Sequence, residues 1–221
     1  MGGKQLGFSD YEQTTAKKRT KKEKFLAEMD QVVAWQPLLD LIEPVYPKVS
    51  SKGGRPPYPL ATMLRIHLMQ QWYSLSDLAM EDTLIEVATI LRFAGIELIS
   101  NRIPDQTTIL SFRHLIEKHD RGQQIFEMVK AHLKQRGMAM KQGTVIDATL
   151  ISAPCSTKNK TGKWDPEMQQ TKKGNQWYYG MKVHKGVDKD SGLIHSVETT
   201  SAKVHDITRA AQLLHGEEEV G

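Results

Sequence analysis

At Gly143 the hydrophobic period of the chain changes. That change restricts the fold to a helical part followed by a sheet-containing part. Before it, apolar residues recur every three to four positions, the spacing of one helix face. Phe25, Met29, Val32, Val33 and Leu39 predict a helix over 25–43, ended by Pro44 and Pro47. Residues 48–57 read as a loop from Ser50-Ser51, Gly53-Gly54 and Pro56-Pro57. Leu60, Met63, Leu64, Leu68 and Trp72 predict a helix with Pro59 in its first turn. Ser76 caps a short second helix, and a third spans Thr83 to Phe93, closed by Gly95. Ile109, Phe112 and Ile116 mark another, capped by Asp105 or Thr107. Ile125, Val129 and Leu133 mark the last, which stops at Gly137. After Gly143, Thr144–Ile151 is β-branched and apolar and reads as a buried strand. Residues 153–176 form a Lys-rich loop. Tyr179, Met181, Val183 and Val187 alternate as a strand, Asp190-Ser191-Gly192 turns, Leu193–Thr200 returns, and 207–215 is helical. The fold class is α+β.

The chain has 221 residues, 39% hydrophobic and 25% charged. A chain of this size buries roughly 70% of its unfolded surface, and the composition excludes wholesale disorder, collagen and coiled coil. No run approaches the roughly 18 apolar residues of a membrane span. The first residues lack the apolar stretch of a signal peptide. A single cysteine, Cys155, allows no internal disulfide and no cysteine-based zinc site. These features fit a reducing cytoplasm and no membrane partner.

The net charge of +4 is unevenly placed. Residues 130–189 hold 12 Lys and Arg against four acids, a local excess of +8. A second cluster, Lys17-Lys18-Arg19-Thr20-Lys21-Lys22, precedes the first helix. Clustered cations attract polyanions, although a solubilising surface is the bland alternative. Trp164, Trp177, Tyr178 and Tyr179 lie among the cations of residues 130–189 and favour nucleic acid. Lys172, Lys173 and Lys182 are the phosphate-contact candidates, with Trp177 placed to stack on a base. The helix–turn–helix spacing before residue 100 also suits DNA, with an ordinary packed helix pair as the alternative. Thr107 and Arg113 fall near the exposed side of the helix that starts at about 106.

Asp147 lies in the middle of the predicted buried strand. A carboxylate there is hydrogen-bonded, paired or bound to metal. One reading is a strand-end Asp bonded to backbone. The other is a divalent-cation ligand near phosphate. The histidines, His184, His195 and His205 among them, read as satisfied core or surface groups, with His205-Asp206 as a lesser metal-site candidate.

Several stretches then resemble the DDE transposases of bacterial insertion sequences, in the branch with an InsH-type N-terminal domain. They are Arg55-Pro56-Pro57-Tyr58-Pro59-Leu60, Tyr73-Ser74-Leu75-Ser76-Asp77, Pro104–Ile109, Gly143–Thr149, Gln170–Trp177 and Gly180-Met181-Lys182-Val183-His184. The resemblance covers about Leu6 to Glu218. It implies a basic arm and first helix over 1–52, a helical InsH-type domain over 53–140, and the first half of a ribonuclease H-like domain over 141–221. It implies that Asp147 is the first of three catalytic carboxylates holding Mg²⁺, with Mn²⁺ as the alternative ion. It further implies cleavage and transfer of double-stranded DNA by a homo-oligomer on element ends. The arm residues Lys17, Lys18, Arg19, Lys21 and Lys22 and the helical unit would recognise those ends. The family's second Asp and its Glu have no counterpart on a buried strand here. The sequence therefore reads as a truncated, catalytically incomplete transposase whose sheet exposes an edge and an apolar face. Two alternatives remain: a non-catalytic DNA-binding remnant that inhibits transposition, and a nuclease using Asp147 with Asp188 or Asp206.

Overall fold

A computed structural model describes residues 19–49, 53–97, 102–137, 143–153 and 165–214. The chain folds as two compact units, residues 1–129 and 130–221, with the division falling inside one helix.

In the first unit, α1 (Lys21–Val32) begins at a reciprocal capping box. The Thr20 hydroxyl accepts from the Glu23 amide, and the Glu23 carboxylate accepts from the Thr20 amide. The single helix expected over 25–43 is instead two, because the chain is extended at Val33 and restarts as α2 (Trp35–Ile42). Pro44 sits in a short 3₁₀ turn, Glu43–Val45, rather than ending the helix abruptly. α3 (Leu60–Tyr73) begins just after Pro59, which is its N-cap residue and not part of the first turn as expected. It buries Met63, Leu64, Ile66 and Met69, more than one stripe, because it lies at the centre of the unit. Ser74 adopts the left-handed conformation (φ 51°) and ends it. Ser76 then caps α4 (Asp77–Glu86) through the Ala79 amide. The helix expected from Thr83 to Phe93 is interrupted at Val87, whose extended backbone separates α4 from α5 (Ala88–Phe93). Gly95 closes α5 at φ 75°.

Asp105, not Thr107, caps α6 (Gln106–Lys118), which buries Ile109, Phe112 and Ile116. α7 (Arg121–Gln135) follows. Edge-to-face rings, Phe25–Trp72, Trp72–Phe93 and Trp35–Phe93, tie α1, α2, α3 and α5 together. The Arg65 guanidinium lies 4.1 Å from the Trp35 ring and 4.8 Å from that of Phe93, and pairs with Asp30 at 2.7 Å.

The second unit is an antiparallel sheet of β1 (Thr144–Ser152), β2 (Gln169–Lys173), β3 (Gln176–Asp188) and β4 (Ile194–Ser201). β3 is central. Its second half pairs with β1 on one side and β4 on the other, and its first half pairs with β2. The long loop expected over 153–176 therefore contains a strand, β2, which pairing with β3 holds in place despite its polar sequence. The helix expected over 207–215 is a 3₁₀ turn, Asp206–Arg209, followed by the single turn α8 (Ala210–Leu213). α8 and Leu213 cover one sheet face, where the Leu213 carbonyl lies so close to Gly186 that no Cβ fits. The opposite face keeps Val145, Ile151 and Val197 about half exposed. An exposed apolar face was expected, and among the described residues it is present.

Candidate nucleic-acid interface

Asp147 is not buried. Along β1 the even-numbered residues turn toward the covered face, so Asp147 points outward with its side chain 61% exposed. Its register partner on β3 is Lys185, whose Nζ lies 3.2 Å from Asp147 Oδ2. The burial argument made from sequence thus fails. An apolar run does not reveal which sheet face is covered, and here only one is.

The fit to a metal is correspondingly limited. Among the described residues no group of three His, Cys, Asp or Glu side chains is placed to hold an ion. Asp188 and Asp206 do not join Asp147. Asp188 lies three positions beyond Lys185, on the covered face. There it accepts from the Ser191 amide and hydroxyl, and those bonds hold its carboxyl below the usual carboxylate range. Asp188 is therefore buried although it ends β3. Asp206 binds Lys182 Nζ at 3.0 Å and faces His184 Nδ1 at 3.6 Å, also on the covered side. The described residues offer one carboxylate ligand and do not form a two-metal site.

The lysine candidates separate into two kinds. Lys172 and Lys173 are exposed on β2. Lys172 is the register partner of Trp177, which is 68% exposed. Strand alternation puts Lys172, Trp177, Lys185 and Asp147 on one face. The eight steps from Trp177 to Lys185 span about 26 Å at ~3.3 Å per residue, close to eight base pairs of duplex. Lys182 is different. Its Nζ donates to the Val204 carbonyl at 2.8 Å and to Asp206, and its side chain is 14% exposed. It fastens the segment after β4 to β3 and is not available to a phosphate in this arrangement.

In the helical unit, Arg19 and Lys21 are exposed, whereas Lys22 lies over the Tyr73 ring at 5.3 Å. Lys17 and Lys18 fall outside the described residues. Thr107 is exposed and donates to the Asp105 carboxylate, supporting the cap of α6. Arg113 does not stand free on that helix. It pairs with Asp77 at 2.8 Å and Glu117 at 3.5 Å. The Gln70 amide also donates to Asp77, so α3, α4 and α6 meet at one polar node. The Arg113 bond, reinforced by Gln70, holds the Asp77 carboxyl below its ordinary range.

Sequence reasoning missed Lys185 and the chain Thr200–His184–Asp206, in which the buried His184 Nε2 lies 2.8 Å from Thr200 Oγ1 and Asp206 is half exposed. Both depend on register between distant strands, for which no local signal exists. Among the described residues no helix is long and apolar enough to cross a membrane.

Comparison with known proteins adds two matches. Residues 14–115 match the family model described as Transposase domain (DUF772), and residues 139–220 match the Transposase DDE domain. No solved structure matches the chain.

Proposed function

The chain belongs to the DDE transposases of insertion sequences, and on that premise we propose that it binds DNA along the open face of its sheet. The observation that carries this reading is the alignment of Lys172, Trp177, Lys185 and Asp147 on one face about 26 Å long. Lys172 neutralises a phosphate on this face, and Trp177 presents a ring to a base, whereas Lys173, the next residue on the strand, alternates to the other face. Asp147 is the carboxylate that faces the DNA. Members of this family generally use divalent metal ions, and a hard cation such as Mg²⁺ takes carboxylate, water and phosphate oxygens together. One such ligand is what Asp147 supplies. Lys185 pairs with it at 3.2 Å, so a cation held at Asp147 would compete with this ion pair. The arm cations Arg19 and Lys21, with the helical unit, take part in recognising element ends. Cleavage and transfer of element ends would need carboxylates besides Asp147, and the described residues bring none to it.

The test is a pair of assays on the full chain. Anisotropy with labelled duplex measures binding, and supercoiled plasmid with Mg²⁺ measures nicking. Asp147→Asn is expected to bind like wild type and to abolish nicking. Binding by both proteins with nicking by neither assigns DNA binding without catalysis. Nicking that survives Asp147→Asn removes Asp147 from the chemistry.

A further inference from the structure

The segment after β4 covers one face of the sheet and is tied to it by polar contacts. Lys182 Nζ donates to the Val204 carbonyl at 2.8 Å and to Asp206 Oδ1 at 3.0 Å. Arg209 Nη1 pairs with Glu198 Oε1 at 3.1 Å, and Leu213 is buried. Among these ties lies His184 on β3, which is fully buried and has no part in the DNA-binding reading.

The His184 ring is satisfied on one side only. Its Nε2 lies 2.8 Å from Thr200 Oγ1. The Thr200 hydroxyl directs its single hydrogen to the Ser201 carbonyl, so toward the ring it is an acceptor. Nε2 therefore carries the hydrogen, and the neutral ring has a bare lone pair at Nδ1. Among the described residues Nδ1 has no hydrogen-bond partner. It faces Asp206 Oδ1 at 3.6 Å, too far for a hydrogen bond and itself an acceptor. A proton on Nδ1 turns this opposed pair of acceptors into a charge-assisted hydrogen bond, whose N···O distance is about 2.7–2.9 Å.

The charged groups around the ring come from three elements. Lys182 lies on its own strand, Glu198 is its register partner on β4, and Asp206 and Arg209 belong to the cover. On β1 it faces Ala148, which carries no charge. Glu198 is engaged by Arg209, and Asp206 is the carboxylate paired with the ring. Lys182 binds the same Oδ1, so it competes with a proton on His184 for that oxygen.

We propose that His184 and Asp206 form a proton-operated clasp: protonated at Nδ1, His184 binds Asp206 and tightens the cover over residues 204–213, and neutral it leaves the cover to Lys182 and Arg209. The covered state then binds the proton more tightly than the uncovered one. Protection of the cover accordingly rises as pH falls, by at most about tenfold per pH unit for one proton.

The experiment uses the full chain with isotopically labelled histidine, between about pH 8 and pH 6, where histidine ordinarily changes charge. Ring-nitrogen NMR shifts report which nitrogen of His184 carries the hydrogen. Native-state exchange reports protection factors for the Thr208 and Leu214 amides, which bond within the cover. The neutral ring is expected to carry its hydrogen on Nε2, and protection to rise several-fold as pH falls. Asp206→Asn offers an amide donor to the lone pair and no carboxylate, so the rise should vanish, as it should in His184→Gln. His205→Gln, at an exposed neighbour on the same segment, should keep it. Should His184→Gln fail to fold, Asp206→Asn, at a half-exposed position, carries the test alone. A neutral ring with its hydrogen on Nδ1 overturns the proposal. So does a wild type without the rise, or a rise that persists undiminished in Asp206→Asn.

Discussion

Three lysines that look alike in the sequence should behave differently on DNA. Lys172 and Lys173 are exposed on β2, whereas Lys182 is held by Val204 and Asp206. Each phosphate neutralised on B-form DNA contributes about 0.9 to the salt slope of binding. Lys172→Ala should therefore flatten the slope by about 0.9. Over a fourfold rise in salt, from 50 to 200 mM, the advantage of wild type then shrinks about 3.5-fold. Lys182→Ala should leave the slope unchanged. It removes the partner of the Asp206 carboxylate and of a backbone carbonyl, a loss of about 1–3 kcal/mol that appears as a lower thermal midpoint. Fluorescence anisotropy on one duplex at several salt concentrations, beside thermal melts, measures both quantities. A slope change in Lys182→Ala equal to that of a single β2 lysine would refute the division of roles. So would a wild-type slope in Lys172→Ala.

Trp177→Ala should cost DNA affinity about 5- to 150-fold, the worth of one stacked base, at nearly unchanged stability because the ring is 68% exposed. Equal affinity in the variant would remove the stacking role. Asp77→Ala leaves the buried Gln70 amide and Arg113 without their acceptor, so the helical unit should lose about 2 kcal/mol, roughly 10 °C in Tm. The Asp77 carboxyl is depressed in the folded state, so its stabilisation is complete above its unfolded value and is lost as pH falls through the folded one. Asp77→Asn should accordingly flatten the acid limb of a urea-midpoint profile between about pH 5 and 2. Gly180→Ala would drive a Cβ into the Ile151 carbonyl oxygen, so β1 should lose its pairing and the amides of 144–152 their exchange protection.

Much of the local structure was determined by the sequence itself. The change of period at Gly143 separates helices from strands, Ser76 and Asp105 cap where expected, and Gly95 ends α5. Such features are legible because caps, turns and periodicity act within a few residues. The family, too, was readable from the order of its motifs, and the matches over 14–115 and 139–220 agree. The breaks at Val33 and Val87 carry no glycine or proline, and only packing of the helices around α3 decided them.

The candidate site was decided almost wholly by tertiary structure. Asp147 reads as buried in a β-branched run, yet it faces outward because α8 covers one side of the sheet among the described residues. Lys182 reads as one more surface cation until Asp206, 24 residues away, is brought to it. Strand alternation sorts residues into two faces but does not say which face is covered. A one-residue change of register would exchange the two sets. The side chains that can reach a DNA phosphate are therefore chosen by the pairing of β1, β2 and β4 onto β3, since long-range packing alone fixes which face meets solvent.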